Sequence, residues 1–155
     1  MHVLQRIMTF LGRLFLGAVF LVTAIYELVG WPKVQQMFLE AFSRWMSLYH
    51  GWIRDWLATT IPPAAAWIVL GATLLKLLGS LMLILGWHAR LGCVFLLVFL
   101  IPNTVIMHDF WHLVGGEGSV QMMLFWKNIA IMGGLLLMAT GGNACTGAKE
   151  RKKEG

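Results

Sequence analysis

The sequence predicts an all-α integral membrane protein, a four-helix bundle with an interfacial amphipathic helix between the first and second spans. Three observations carry that prediction. Hydrophobic residues make up 59% of the 155 and charged residues 12%, a balance far from that of an average soluble domain. Four stretches, about 8–30, 62–86, 89–108 and 119–141, each hold the roughly 20 mainly apolar residues that a bilayer crossing needs. The net charge of +5 is distributed like a topology signal rather than a nucleic-acid footprint, so the expected partner is the lipid bilayer and not nucleic acid. If four spans alternate, Arg6, Arg13, Arg90, Lys149, Arg151, Lys152 and Lys153 fall on one side and Lys33, Arg44 and Arg54 on the other. That bias predicts both termini in the cytoplasm and, in a bacterium, residence in the cell (inner) membrane.

The first span opens with a charged start and an apolar run that a signal peptide also shows. The run is long for such a segment and further spans follow, which predicts an uncleaved anchor. It ends at "LVGWPK", where Gly30 and Pro32 stop the helix and Trp31 suits the interface. Met37, Phe38, Ala41, Trp45 and Leu48 then recur at helical spacing, with Gln36, Glu40, Ser43, Arg44 and His50 between them. With Trp52 and Trp56 following, the stretch at about 33–58 is expected to lie on the outer leaflet and to lid the bundle.

"IPPAAAW" is expected to start the second span, with prolines in a first turn that has no amide bonds to lose. "LGWHARLG" is a tight cytoplasmic turn that makes the second and third spans antiparallel neighbours. Pro102 in the third span, followed by Asn103 and Thr104, predicts a kink and freed carbonyls. After the "VGGEGS" loop the fourth span completes a transmembrane domain over 1–142, and residues 143–155 form a polar tail expected to be disordered and cytoplasmic.

Glu27, Lys76, Lys127 and Asn128 lie within these apolar spans, where a centrally placed lysine costs about 2.5–3.5 kcal/mol on insertion scales. Ala65, Val69, Ala72, Thr73, Lys76, Gly79 and Ser80 share a face small enough for another helix to pack on, which points Lys76 into the bundle. Arg13, Gly17, Phe20, Ala24 and Glu27 share a face of the first span. Counting from the outer ends of the spans puts Glu27 about 5 Å deep, Lys127 about 12 Å and Lys76 about 18 Å. Depth therefore argues against a direct Glu27–Lys76 pair and favours Lys127 reaching Glu27 by snorkelling.

Asn103, His108 and Asp109 approach at compatible depth. The candidate ligand or proton site is thus a polar cavity in the outer half of the bundle, drawn from Glu27, Lys76, Asn103, His108, Asp109, Lys127 and Asn128. The competing reading gives these groups only the task of fixing helix register.

"MHDFWH" places His108 and His112 four apart, a spacing that on one helix lets two imidazoles share zinc. The middle residues and the missing third ligand make the pair a weak candidate, and no metal is expected. An interfacial belt explains the stretch more simply, with histidines that titrate near neutral pH at the rim of the cavity. Cys93 and Cys145 have neither CxxC spacing nor a histidine cluster and are expected to be reduced thiols. No nucleophilic triad, nucleotide loop or haem ligand pair is present, so independent catalysis is not expected.

"GRLFLGAVFLVTAIYELVGWPK", "LGATLLKLLGSLMLILGWHARLG", "MHDFWH" and "WKNIAIMGGLLLMATGG" together resemble the DoxX family of four-span membrane proteins, over most of residues 10–142. That resemblance implies an accessory or quinone-proximal subunit of a membrane redox or thiol-stress system, with a redox-complex partner, a quinone as cofactor and self-association open. Members of that family typically carry a lysine near the end of the first span and an acidic residue in the second. Here Glu27 and Lys76 stand at those positions with signs exchanged, which implies that the two positions interact. "WKNIAIMGGLLL" and the ending "KKEG" are also similar to surfeit-locus cargo receptors, which would place the chain in the endoplasmic reticulum membrane of a eukaryote. A small-solute transporter or cargo-binding receptor is the competing function.

Overall fold

The computed structural model describes residues 2–48, 50–113 and 115–141. The predicted disordered tail, Cys145 and the C-terminal basic cluster lie outside them. Among the described residues there are only helices and turns: α1 His2–Val29, α2 Trp31–Met46, α3 Trp52–Leu85, α4 Ala89–Met107 and α5 Gly116–Gly141, with a single 3-10 turn at Phe110–His112. Four of these, α1, α3, α4 and α5, are long and apolar enough to cross a bilayer. The chain is a multi-pass membrane protein built as a helical bundle.

Successive spans run antiparallel. Gly17 of α1 lies against Ser80 and Ile84 of α3, while Glu27 lies against Thr73 and Lys76. Along α3 and α4, Gly79 meets Gly92 and Lys76 lies over Phe99. Thr104 of α4 meets Asn128 of α5, and Gly134 of α5 lies against Leu16 of α1. In lipid the hydrophobic effect does not drive spans together, so close van der Waals packing on small residues has to. The crossing of α3 and α4 shows how close: a β-carbon on Gly92 would sit 2.8 Å from the Gly79 carbonyl oxygen.

α3 turns into α4 within three residues. Gly86 adopts a left-handed φ of 71°, which terminates α3 as an αL cap, and His88 follows at 51°. The inner half of the bundle is solid. Phe20, Leu83, Cys93, Leu96, Phe99, Leu100 and Leu135 form its core, with Leu16, Ile131 and Met138 packed against it.

The outer half departs from expectation in two places. α3 begins at Trp52, not at residue 62, and carries Pro62 and Pro63 inside it. Each proline lacks the amide that would bond the carbonyl four residues earlier, here Ala58 and Thr59. Both residues are exposed, so interfacial water can take the place of those bonds and the helix continues through. The interfacial segment expected at 33–58 is correspondingly shorter: α2 ends at Met46, and residues from Trp52 on already belong to α3.

α2 packs mainly on α3, less on α4 and least on α1. Its inward face is Phe38, Ala41, Phe42, Trp45 and Met46, whereas Met37 and Leu48 of the expected face are exposed. Phe38 and Phe42 stack with ring centroids 6.0 Å apart, and Trp45 adjoins Phe42 at 6.2 Å.

Candidate functional site

The outer half is hollow where the inner half is packed. A cavity of about 750 Å³ lies among α1, α2, α3 and α4. Val34, Met37 and Phe38 of α2 roof it, Ile68, Val69, Ala72 and Leu75 of α3 form its floor, and Val98, Phe99, Ile106 and Met107 of α4 wall one side. Tyr26 and Trp67, each 74% exposed, stand at its open side. The polar residues lining it are few: Thr23, Glu27, Thr73 and Asn103, besides the mouth aromatics.

Glu27 is paired. Lys76 Nζ donates to Glu27 Oε1, and Thr73 Oγ1 donates to Glu27 Oε2 at 3.2 Å. Lys76 Nζ also sits 4.5 Å from the centroid of the Phe99 ring, a favourable cation–π distance. The two partners are unequally covered: the Lys76 side chain is 3% exposed and that of Glu27 26%. The carboxylate faces the cavity, and the ammonium stands behind it.

The direct pair corrects the depth argument. Counting depth from the end of each span takes those ends as level, whereas α3 runs well past the Val29 end of α1. Glu27 is level with Thr73, which leaves Lys76 one helical turn away, within reach of a lysine side chain. Lys127 does not take this role. It is exposed on the outer face of α5 and does not line the cavity.

The remaining candidates are spread over separate contacts. Asn128 is buried and donates from Nδ2 to Thr104 Oγ1 at 3.1 Å, while Thr104 donates to the Leu100 carbonyl at 2.7 Å. That pair ties α5 to α4 and lies outside the cavity lining. Asp109, fully buried, forms an ion pair with Arg44 of α2 at 3.6 Å, fastening the roof helix to the end of α4. His108 Nδ1 lies 2.7 Å from Gln121 Oε1. Of the seven candidates, then, Glu27 and Asn103 line the cavity, Lys76 supports Glu27 from behind, and His108, Asp109, Lys127 and Asn128 stand apart from it.

α4 ends at Met107, and His108 and Asp109 leave the helix before the 3-10 turn. The premise that His108 and His112 project from one helical face therefore does not hold. The His112 side chain lies outside the described residues. Among those described, no group of three histidine, cysteine or carboxylate side chains is placed to hold a metal ion. Phe110, Trp111 and Phe125 pack edge to face beside this turn, with ring centroids 5.1–6.1 Å apart, and Trp111 is half exposed.

Thr73 and Phe99, the two residues that complete the Glu27–Lys76 site, carry different signals in the sequence. Thr73 stands on the small, polar stripe of α3. Phe99 is one of many apolar residues in α4, and nothing in its spacing marks it. Arg44 and Gln121 are equally unmarked, since both sit among polar residues of their helices.

Against known proteins, residues 5–140 match the model of the HR-like lesion-inducing family. The chain is similar to the inner membrane protein YphA of Escherichia coli (strain K12), 28% identical over 121 residues that cover 78% of this chain and 77% of that protein. No solved structure matches. The family match corrects the resemblance to DoxX and to the surfeit-locus receptors. The quoted segments combine small residues at helix crossings with charges that must pair in lipid, features that any tightly packed four-span bundle needs. Their order alone does not separate one such family from another.

Proposed function

The chain belongs to the HR-like lesion-inducing family, and on that footing we propose that it is an inner-membrane protein that binds a lipid-soluble amphiphile in the outer cavity. One observation carries the proposal: a space of about 750 Å³ lined almost wholly by apolar side chains, with a single carboxylate facing into it. That volume is within the range of small-molecule sites, and the pattern of apolar walls with a few polar groups is theirs as well. The placement in the inner membrane follows the likeness to YphA. The orientation rests on the charge bias of the sequence, with Arg6, Arg13, Arg90, Lys149, Arg151, Lys152 and Lys153 on one side against Lys33, Arg44 and Arg54 on the other, and on four spans returning both termini to the same side.

The redox role expected from the DoxX resemblance loses its ground with that resemblance. A quinone is still one amphiphile of suitable character, and an accessory role beside a redox complex is the form the function takes if a quinone is what is bound. The proposal is tested by extracting the protein in a lipid-preserving polymer and identifying its small molecules by mass spectrometry, beside a Gly71→Phe variant. Gly71 lines the cavity, and a β-carbon there meets nothing within 4 Å, so a ring can be introduced at this wall without a clash at its first carbon. The expected result is one amphiphile enriched over bulk lipid in the wild type and lost from the variant. Identical profiles from both, or solute flux in liposomes without any enriched amphiphile, would overturn the binding reading in favour of none or of transport.

A further inference from the structure

The hydrogen-bonding capacity of the cavity is lopsided, and the lopsidedness selects a ligand. A carboxylate offers about four acceptor sites, and Lys76 and Thr73 each donate to one oxygen of Glu27. Acceptor capacity remains on the side that faces the cavity. Among the cavity-lining donors, Thr73 is engaged with Glu27 and Thr23 with the Val19 and Phe20 carbonyls of its own helix, while Lys76 donates to Glu27 from behind and does not line the cavity. Pro102 adds to the excess. It has no amide for the Val98 carbonyl, and both residues line the cavity. Asn103 is the one interior lining residue that can still donate, its amide making no hydrogen bond among the described residues. Tyr26 and Trp67 offer their polar tips only at the mouth.

Charge narrows the choice further. Glu27 and Lys76 together are neutral, so an ionised head group would add a net charge to a site within the bilayer, where charge is costly. A neutral donor adds none, and it gains a charge-assisted hydrogen bond to the carboxylate. Acceptors left unmet in lipid are costly too, which favours a ligand that donates to them.

Resting on the binding function proposed above, we infer that the ligand is an uncharged amphiphile with a hydrogen-bond donor in its head, a hydroxyl above all, that donates to Glu27 while its apolar body lies against α3 and α4. Anionic and ammonium-headed amphiphiles are disfavoured.

Trp67 at the mouth gives the readout. A brominated long-chain alcohol is titrated into the purified protein, and the quenching that a Trp67→Phe variant lacks is taken as cavity occupancy. Alcohol, ammonium and carboxylate amphiphiles of one chain length then compete with it, at a pH where the latter two are ionised. The alcohol is expected to displace the probe at concentrations about tenfold lower than the carboxylate, the factor for one hydrogen bond to a charged group, and lower also than the ammonium, whose own hydrogen bond to Glu27 is offset by the net charge it brings into the bilayer. In the double variant Glu27→Gln/Lys76→Met, which keeps the site neutral but removes the charged acceptor, the alcohol itself should need about tenfold higher concentration to displace the probe, while the charge penalty on the other two compounds stays.

Displacement by the carboxylate or the ammonium compound at equal or lower concentration overturns the head-group assignment and leaves cavity binding standing. Absence of Trp67-dependent quenching by every amphiphile overturns the binding reading and the assignment together. The competition series on the wild-type protein decides the matter even if the double variant does not fold.

Discussion

Lys76 and Glu27 are worth different amounts alone and together. Breaking a buried pair leaves an uncompensated charge, at a cost of about 3–5 kcal/mol, whereas replacing both members by neutral groups of similar volume is often close to neutral. Glu27→Gln leaves the nearly inaccessible Lys76 ammonium with no carboxylate, so a loss of about 3 kcal/mol or more is expected in denaturant titration of the detergent-solubilised protein. Adding Lys76→Met should recover most of it, and a double variant as unstable as the single one would show that the pair itself sustains the fold. Thr104 and Asn128 provide the contrast. Both are uncharged, and interhelical hydrogen bonds in membrane proteins average about 0.6 kcal/mol. Thr104→Val should therefore cost well under about 1 kcal/mol by the same titration, and a larger loss would mean that the α4–α5 junction depends on this one bond. Charged residues in apolar spans were conspicuous in the sequence, which is why Glu27 and Lys76 could be named from it. Their uncharged partners Thr73 and Phe99, and the Arg44 that meets Asp109, were fixed only by how the helices pack.

At the level of elements, the close approach of α3 and α4 is a property of two glycines. A β-carbon on Gly79 would lie 3.0 Å from the Gly92 carbonyl oxygen and 2.9 Å from Leu96 Cγ, with backbone that cannot yield locally on one side. Gly79→Ala should push the helices apart and cost about 1–3 kcal/mol, the range for overpacking. Gly71→Ala on the same helix, with open space around it, should leave stability unchanged or slightly improved through helix propensity. Equal effects from the two would show that α3 and α4 do not cross as closely as Gly79 and Gly92 indicate. The element boundaries explain what the sequence could and could not disclose. Apolar length identified all four spans, because burying backbone in lipid demands a long uninterrupted helix. The outer start of α3 was hidden, since Pro62 and Pro63 read as a beginning when exposed carbonyls allow the helix to pass through them. How far α3 overshoots the end of α1 was not legible either, and taking the two ends as level separated Lys76 from the carboxylate it meets.

For the molecule as a whole, the polar cavity expected from the buried charges gives way to a space with an almost wholly apolar lining, and neither that lining nor the part α2 plays in it was legible, because both depend on how α2 folds back over α3 and α4. The orientation proposed for the molecule rests in part on arginines at one end, with Arg13 packed beside the Gly86 turn that joins α3 to α4. Arg6 and Arg90 belong to the same end by the antiparallel order of the helices. The opposite end carries Lys33, Arg44 and Arg54, and there Arg44 is drawn into an ion pair with buried Asp109. A test of orientation must leave these charges alone, because removing one alters the signal that sets topology. Ser47 in the α2–α3 turn and Trp87 in the α3–α4 turn are both exposed and uncharged. Single cysteines at these two positions, in a background with Cys93 and Cys145 replaced by alanine, can be labelled with a membrane-impermeant thiol reagent in intact cells. Ser47→Cys should react from outside and Trp87→Cys only after permeabilisation. The reverse pattern would invert the molecule and turn the mouth of the cavity toward the cytoplasmic leaflet. The binding proposal would survive that result, but the amphiphile would have to be sought in the other leaflet.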